Sequence, residues 1–221
     1  MNKDHIVHLP GFLDPVCCQH IIDLFESLNE YHQEGTVGDM LIIHDAKKCT
    51  EMTFRLYEDF KIHPVPHHHV EQEHVHLPST EMGWKKFKVP FYTVPDFINY
   101  LVNGFRKYAQ EYPFLDQLPQ TKICDGIKIQ KYNPDECYSA LHCETMGGDL
   151  DRVLAWMIYL NNVTDGGETE FPSQDKKFQP RCGDLLIWPA GFTHPHRGIA
   201  SKTQVKYIVT GWTVYTNPPS K

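Results

Sequence analysis

Two histidines and a glutamate in the second half of the chain have the types and spacing of a transition-metal site. His142 and Glu144 are two positions apart, and in an extended chain such side chains point to the same face. A further histidine, His194 or His196, follows about fifty residues later. Two histidines and one carboxylate leave coordination positions open, as in the Fe(II) centres of oxygenases. Alone, the trio does not establish a site, because 14 histidines and 28 acidic residues produce such spacings by chance, and a solvated strand face could carry them.

The composition is that of an ordinary globular protein. With 221 residues, of which 41% are hydrophobic and 22% charged, the chain is not largely disordered. A net charge of −7 without a long basic run disfavours nucleic-acid and anionic-membrane partners. There is no apolar segment of transmembrane length, no signal peptide, and no CxxC among the seven cysteines. We therefore expect a cytoplasmic protein with reduced thiols; the sequence does not fix its oligomeric state.

Two helices are predicted in the first half of the chain. Asp14 suits the N-cap of a helix and Pro15 its first position, so residues 14–30 are predicted to be helical. A second helix is predicted from Val94 to about Tyr112, because apolar residues recur there at helical spacing.

From about residue 122 onward the sequence is typical of β-strands. The predicted strands contain Ile123, Ile127 and Ile129, then VLAWMIYL (153–160), GDLLIW (183–188) and QVKYIVTGWTVY (204–215). The segment from Asn161 to Glu168 contains Asp165-Gly166-Gly167 and has the composition of a hairpin turn. Two helices followed by these strands predict a mostly β protein of the α+β class, with helices outside an antiparallel sandwich or barrel.

Several short motifs surround the candidate site in a fixed order. They are Tyr132, His142-Cys143-Glu144, Arg152, Tyr159-Leu160-Asn161, GGETEFP (166–172), GDLLIWP (183–189), a histidine at 194 or 196, and Lys206-Tyr207 with Trp212 beyond. In this order the chain resembles the prolyl 4-hydroxylase-like branch of the Fe(II)/2-oxoglutarate-dependent dioxygenases over roughly residues 120–215. The resemblance implies a distorted double-stranded β-helix, a jelly-roll or cupin-like core, with supporting helices ahead of it.

The chain carries no internal repeat and no low-complexity linker. We therefore expect residues 1–221 to form a single domain. Within it, residues 1–120 would supply helical support and an irregular lid or loop region, and residues 121–216 the double-stranded β-helix core.

The resemblance assigns a role to each matching metal ligand. His142 and Glu144 match the family's metal-binding histidine and acid; the acid is usually aspartate, so a glutamate one methylene longer implies a slightly different geometry. His194 lies six residues after Trp188 and is the preferred third ligand. His196, ten residues before Lys206, is the alternative, because that spacing also occurs in the family.

The resemblance also predicts a cosubstrate pocket. Lys206 matches the basic residue that pairs with the distal carboxylate of 2-oxoglutarate, and a buried dicarboxylate requires such a cation. Tyr159 matches a tyrosine that assists at the same carboxylate, although a tyrosine there could equally belong to the core. Tyr132 and Thr210 are further candidates for this pocket, and Trp212 is expected in its wall or in the core.

The activity implied by the resemblance is hydroxylation of an unactivated C–H bond with release of succinate and CO2. Fe(II), 2-oxoglutarate and O2 would be required, and L-ascorbate is a candidate auxiliary reductant. The expected substrate is a prolyl residue in a peptide or protein. Two alternatives stay open: a hydroxylase of a free amino acid or other small molecule, and a cupin-like metal-binding protein without oxygenase activity.

The segment 33–90 is predicted to be an irregular loop that determines the substrate. It contains the histidine-rich stretch 63–76, which is expected to form a polar loop near the mouth of the site. Aromatic residues in and next to the segment could form walls for a proline-rich peptide or could simply pack the helices onto the core. They are Tyr57, Phe60, Trp84, Phe87 and Phe91.

Overall fold

The structure is a computed structural model, which describes residues 4–37, 41–56, 62–64, 94–124, 126–146 and 150–216. The five aromatic residues named above lie outside these ranges, as does the stretch 63–76 apart from the backbone of its first two residues. The strands are β1 (Val7–Leu9), β2 (Gln33–Glu34), β3 (Thr50–Leu56), β4 (Ile62–Pro64), β5 (Thr121–Ile123), β6 (Gly126–Tyr132), β7 (Arg152–Tyr159), β8 (Thr169–Phe171), β9 (Lys176–Phe178), β10 (Leu185–Pro189), β11 (Arg197–Gly198) and β12 (Lys206–Tyr215). The helices are α1 (Pro15–Ser27) and α2 (Val94–Glu111), and short 3-10 turns cover Asn29–Tyr31, Pro113–Gln117 and Pro172–Gln174.

Both predicted helices are present. Asp14 caps α1, since its carboxylate accepts a hydrogen bond from the amide of Val16 at 2.8 Å. The helix ends at Ser27 and a 3-10 turn follows, so the predicted helix 14–30 is slightly too long. Neither helix in the described ranges is long and apolar enough to cross a lipid bilayer.

The strands form two antiparallel sheets in the part of the chain that the structure describes. The larger has nine strands in the order β1-β10-β7-β12-β6-β3-β2, with β4 beside β3 and β5 beside β12. The smaller has three strands in the order β11-β8-β9. Two facing antiparallel sheets with helices on one outer face confirm the predicted mostly β fold with a jelly-roll core.

The larger sheet separates two hydrophobic cores, one on each of its faces, and the side chains of strand β7 contribute to both. Leu154, Trp156 and Ile158 pack with the helices on the outer face of the larger sheet. Ala155, Met157 and Tyr159 alternate with them and pack between the two sheets. Burial of a large apolar side chain contributes about 1.5–3 kcal/mol, and burial on both faces explains why this strand reads as a continuous apolar run.

The hairpin predicted for Asn161 to Glu168 is wrong. β7 pairs with β10 and β12, whereas β8 pairs with β9 and β11, so this segment carries the chain from one sheet to the other. The turn itself exists: Gly166 has φ 106°, and a Cβ there would lie 2.4 Å from the carbonyl oxygen of Ala200. The turn residues therefore predicted correctly that the chain reverses direction here, but they did not show which strands pair with each other.

The stretch 33–90 is also more regular than predicted. Residues 50–56 form β3, which pairs with β6 in the larger sheet. Met52 and Phe54 face the helix-side core, so Glu51, the residue before Met52, faces the opposite side of the sheet, toward the smaller sheet. This placement brings a buried carboxylate from the first half of the chain to the candidate site.

Candidate active site

His142, Glu144 and His196 converge at one point between the two sheets. Each offers one ligand atom, and these atoms lie within 4.8 Å of one another. The Oε1 atom of Glu144 lies 3.1 Å from Nε2 of His196 and 4.0 Å from Nε2 of His142. Two imidazoles and a carboxylate oxygen aimed at a common point form a donor set for a divalent transition metal.

Main-chain hydrogen bonds hold this cluster together. The amide of His142 donates to the carbonyl oxygen of His196 at 3.0 Å, and the amide of His196 donates to the carbonyl oxygen of His142 at 2.8 Å. The amide of Glu144 donates to the carbonyl oxygen of Ala190, directly after β10. The positions of the three ligands are therefore set by the backbone.

Both imidazole rings are also held in an orientation that suits metal binding. Nδ1 of His142 lies 2.9 Å from the carbonyl oxygen of Ala140, and Nδ1 of His196 lies 3.1 Å from that of His194. A carbonyl oxygen can only accept, so each Nδ1 must carry the proton and donate it. Each Nε2 therefore faces the cluster and, once it carries no proton, directs its lone pair there, as in known metal sites.

His194, the third ligand preferred in the sequence analysis, does not join this cluster. Its Nε2 lies 2.7 Å from the carbonyl oxygen of Asp4 and must donate to it, while its Nδ1 lies 2.9 Å from the hydroxyl of Thr193. Both ring nitrogens are thus engaged elsewhere. His196, the alternative, is the histidine that the fold brings beside His142 and Glu144.

Burial and neighbouring charges adjust the ionisation of the cluster. Burial, together with the nearby His196, lowers the pKa of His142 to about 4. Burial alone would raise the pKa of Glu144, but the hydrogen bond and charge of His196, followed by His142 and Trp212, lower it to about 2. At neutral pH the site presents a neutral His142 imidazole and an ionised carboxylate, the forms that coordinate a metal.

The second oxygen of Glu144 is held by Trp212. The indole N–H donates to Oε2 of Glu144 at 2.7 Å. The guanidinium of Arg152 lies 3.7 Å from the centre of the Trp212 ring and donates to the carbonyl oxygen of Glu144 at 3.1 Å. With Oε2 occupied in this way, Oε1 is the oxygen that faces the two histidines. Trp212 therefore orients the carboxylate and is more than part of the wall.

Replacing Trp212 with phenylalanine is expected to weaken metal binding about 10- to 100-fold, because the partner that orients Glu144 is lost. The change keeps an aromatic ring against Arg152. Titration of the metal-free protein with Mn(II) measures the effect. Trp188→Phe is the matched control, since its buried indole N–H has no hydrogen-bond partner among the described residues. An unchanged Mn(II) affinity in Trp212→Phe would contradict this role.

The cluster opens into a cavity of about 460 Å³ whose lining includes Lys206. The ammonium of Lys206 donates to the carbonyl oxygen of Gly167 at 2.8 Å and lies 5.3 Å and 5.7 Å from the ring centres of Tyr132 and Tyr159. Burial lowers its pKa to about 8. It forms no ion pair with any residue of the described ranges. A buried ammonium in this position is suited to a carboxylate ligand.

The other predicted cosubstrate residues take different positions. Tyr132 and Thr210 line the cavity, and the Tyr132 hydroxyl donates to Gln130 at 2.8 Å. Tyr159 is fully buried and does not line it; its hydroxyl lies 2.7 Å from Thr169 Oγ1 and 3.1 Å from the carbonyl oxygen of Phe178. Thr169, which the sequence analysis did not single out, lines the cavity and contacts the Tyr159 hydroxyl. Its position in the GGETEF motif (166–171) is the sequence feature that could have identified it.

A second group of cavity residues also went unpredicted. Glu51, fully buried on β3, accepts hydrogen bonds from Lys47 at 2.6 Å, Lys128 at 3.0 Å and Gln130 at 3.0 Å. Burial alone would raise its pKa, but the Lys47 and Lys128 ammonium groups lower it to about 2. The alternating apolar residues of 50–56 could have revealed the strand that carries it.

Replacing Glu51 with glutamine is expected to destabilise the protein by about 3–5 kcal/mol, because two lysines lose their carboxylate. A carboxyl whose folded-state pKa is lowered stabilises the fold above its unfolded pKa, and this stability is lost as pH falls through the folded value. The wild-type free energy of unfolding should therefore decline from about pH 4.5 toward pH 2. The variant should show a shallower decline in urea titrations over this range; identical pH dependence would contradict the assignment.

The donor set fits Fe(II). It has no thiolate, which would favour zinc or an iron–sulfur cluster, and two imidazoles with one carboxylate are the ligands of non-haem Fe(II) oxygenases. The residues that would hold the ion are His142, Glu144 and His196.

Comparisons with known proteins agree with this site. The sequence profile of the 2OG-Fe(II) oxygenase superfamily matches residues 127–214. A prolyl 4-hydroxylase homologue of Acanthamoeba polyphaga mimivirus is 29% identical over 108 residues, which cover 40% of this chain and 44% of the viral protein. The chain thus matches less than half the length of that relative.

Solved structures share the fold. The viral collagen prolyl hydroxylase of Paramecium bursaria Chlorella virus-1, determined with 2-oxoglutarate, superposes with a TM-score of 0.59 at 14% identity over 97% of this chain and 98% of that one. A prolyl hydroxylase of Trichoplax adhaerens, determined with a peptide of hypoxia inducible factor, gives a TM-score of 0.64 at 15% identity over 96% and 84%. The profile match covers residues 127–214, which contain the His–Glu–His cluster, and the solved structures show that the chain shares their fold.

Proposed function

We propose that the protein is an Fe(II)- and 2-oxoglutarate-dependent dioxygenase that hydroxylates a prolyl residue of a peptide or protein. One observation carries the proposal: the His142–Glu144–His196 cluster and the buried ammonium of Lys206 line the same cavity. A metal-binding cluster and a cation without a carboxylate partner among the described residues are the two contacts that 2-oxoglutarate needs.

Lys206 binds the distal carboxylate of 2-oxoglutarate. Its ammonium is buried between two tyrosine rings and has a fixed carbonyl partner on Gly167, so it is oriented before the ligand arrives. Burial disfavours the charged form of Lys206, and a bound carboxylate favours it. The pKa of Lys206 should therefore rise when 2-oxoglutarate binds.

The cluster residues would hold the metal through the Glu144 carboxylate and the Nε2 atoms of His142 and His196. When bound, Fe(II) supplies the redox chemistry by which O2 converts 2-oxoglutarate to succinate and CO2 and places its other oxygen atom in a substrate C–H bond. The chain contributes orientation: backbone carbonyls fix the imidazoles, and Trp212 and Arg152 fix Glu144.

A prolyl substrate is supported by the named relatives. The mimivirus protein is a prolyl 4-hydroxylase homologue, and the two solved enzymes are named as prolyl hydroxylases, one of them holding a peptide. Because their sequence identities to this chain are low, the experiment compares prolyl peptides directly with free amino acids as substrates.

The test is succinate formation with Fe(II), 2-oxoglutarate and ascorbate over a library of proline-containing peptides, with free proline and other amino acids beside it. We expect peptide-dependent succinate and a product heavier by one oxygen atom, detected by mass spectrometry. The Glu144→Ala variant should produce neither. Turnover confined to free amino acids would exclude the peptidyl substrate, and metal binding without any succinate would indicate a cupin-like binding protein.

A further inference from the structure

The cavity is far more basic than the protein as a whole. The chain has a formal net charge of −7. Among the residues that the structure describes, the charged side chains that line the cavity are Lys47, Lys128, Arg152, Arg197, Lys206 and Glu144, five cations and one carboxylate. A cation-lined cavity in an acidic protein attracts an anionic ligand.

Three of these cations are accounted for by the cosubstrate, by Glu144 or by an ion pair with Glu170. Lys206 is oriented for the cosubstrate, and Arg152 supports Glu144 through its backbone and through Trp212. Arg197 donates to the carboxylate of Glu170 at 2.6 Å. The remaining two, Lys47 and Lys128, have no role in binding the metal or 2-oxoglutarate.

Lys47 and Lys128 share a single carboxylate. Both pair with Glu51, at 2.6 Å and 3.0 Å. Gln130 and Thr36 also donate to the Glu51 oxygens, which are therefore saturated with donors and fixed in place. One negative charge for two ammonium groups leaves an excess of one positive charge on the cavity wall.

This excess charge lies apart from the cosubstrate site. In the paired register of β6 and β12, Lys206 is opposite Tyr132 and Lys128 is opposite Thr210. Four residues along a strand correspond to about 13 Å, so the two ammonium-bearing positions occupy different ends of the cavity. The side chains of 128, 130 and 132 share one face of the strand, the one that lines the cavity.

The excess charge is close to the metal cluster. The ammonium of Lys47 lies 5.5 Å from the ring centre of Tyr138, and this ring stacks on the imidazole of His142 at 3.6 Å. One aromatic ring thus lies between Lys47 and a metal ligand, and Lys128 lines the same cavity. A group bound by Lys128, whose side chain keeps 19% of its exposure, would belong to a molecule that reaches the reaction centre.

We infer that Lys128, assisted by the charge of Lys47, binds a carboxylate of the prime substrate. The substrate is then acidic near the carbon that is hydroxylated, either through an Asp or Glu side chain beside the target residue or through a terminal carboxylate. This inference rests on the proposed function and specifies its substrate class.

The test measures binding, so that it is separate from turnover. Protein loaded with Mn(II) and 2-oxoglutarate is titrated with fluorescent proline peptides that differ only in having Glu, Gln or Lys at each position flanking the proline. N-acetylproline and its amide, as competitors, test a terminal carboxylate as the source of the anion. We expect the carboxylate form in one of the two sets to bind about tenfold more tightly than its neutral counterpart, as one charge-assisted hydrogen bond would provide.

Lys128→Met should reduce this preference to less than about twofold, and Lys128→Arg should retain it. Lys202→Met is the control, since this exposed lysine pairs with Asp135 outside the cavity. The 2-oxoglutarate affinity should be unchanged in every variant. Equal affinities for charged and neutral probes in the wild type, including no measurable binding of either, would overturn the inference. So would a carboxylate preference that survives Lys128→Met. Loss of succinate formation with an intact preference would instead refute the oxygenase proposal alone.

Discussion

Replacing His196 with alanine is expected to abolish metal binding and turnover together, whereas replacing His194 should leave metal binding intact. His196 directs its Nε2 at the cluster, while both ring nitrogens of His194 are occupied by Asp4 and Thr193. Loss of a direct ligand should exceed the 10- to 100-fold reduction that follows removal of an outer partner, so we expect at least about a hundredfold.

Calorimetric titration of the metal-free proteins with Mn(II) separates the two histidines. His142→Ala and Glu144→Ala should behave like His196→Ala, and His194→Ala is the matched control because it removes the same side chain two residues away. Full metal occupancy in His196→Ala together with its loss in His194→Ala would show that His194, and not His196, is the third metal ligand.

Replacing Lys206 with alanine should raise the 2-oxoglutarate dissociation constant by about two to three and a half decades while metal binding persists. Removing one partner of a buried ion pair costs about 3–5 kcal/mol, and each 1.4 kcal/mol corresponds to about a tenfold change in affinity. Titration of the Mn(II)-loaded protein with 2-oxoglutarate measures the change. An unaltered titration curve would refute the assignment.

The pH dependence of the same titration provides an independent check. Burial lowers the pKa of Lys206 to about 8, so in the free protein its ammonium loses the proton as pH rises through this value. The affinity for 2-oxoglutarate should therefore fall above about pH 8, approaching tenfold per pH unit. In Lys206→Arg the cation persists, and this decline should be absent. The Lys202→Met control should keep the wild-type pH profile.

The fold class could be predicted because local sequence agrees with it over most of the second half of the chain. The run 153–160 is apolar throughout since β7 is buried on both faces, and the predicted strands around 183–188 and 204–215 match β10 and β12. The hairpin failed because turn residues specify a reversal locally, whereas the strands that pair are chosen by packing across the whole sheet. That residues 1–221 form one domain stays a prediction, in keeping with the pairing of β3 with β6.

The choice between His194 and His196 could not be made from spacing alone. It depends on a hydrogen bond from His194 to the carbonyl oxygen of Asp4, 190 residues away in sequence. It depends also on the reciprocal bridge between His142 and His196, which exists only in the folded chain. Neither contact has a local signal, because both residues carry the same side chain at neighbouring positions.

The lysine pair at the cavity wall was missed for a different reason. Glu51 lies in a stretch that was predicted to be irregular, although Met52 and Phe54 alternate with polar residues as in a half-buried strand. Without β3, neither Lys47 nor Lys128 could be placed at the site, so the basic character of the cavity emerges only from the fold.

The most direct test of the central proposal is the fate of oxygen in a single reaction. The Fe(II)-loaded protein, 2-oxoglutarate and the best peptide from the library are incubated under oxygen-18 gas, and succinate and peptide are analysed by mass spectrometry. The proposed chemistry predicts one labelled oxygen atom in succinate and one in the hydroxylated peptide, in equal amounts, with neither formed by His196→Ala. Peptide oxidation without labelled succinate, or equal activity in His196→Ala, would contradict it.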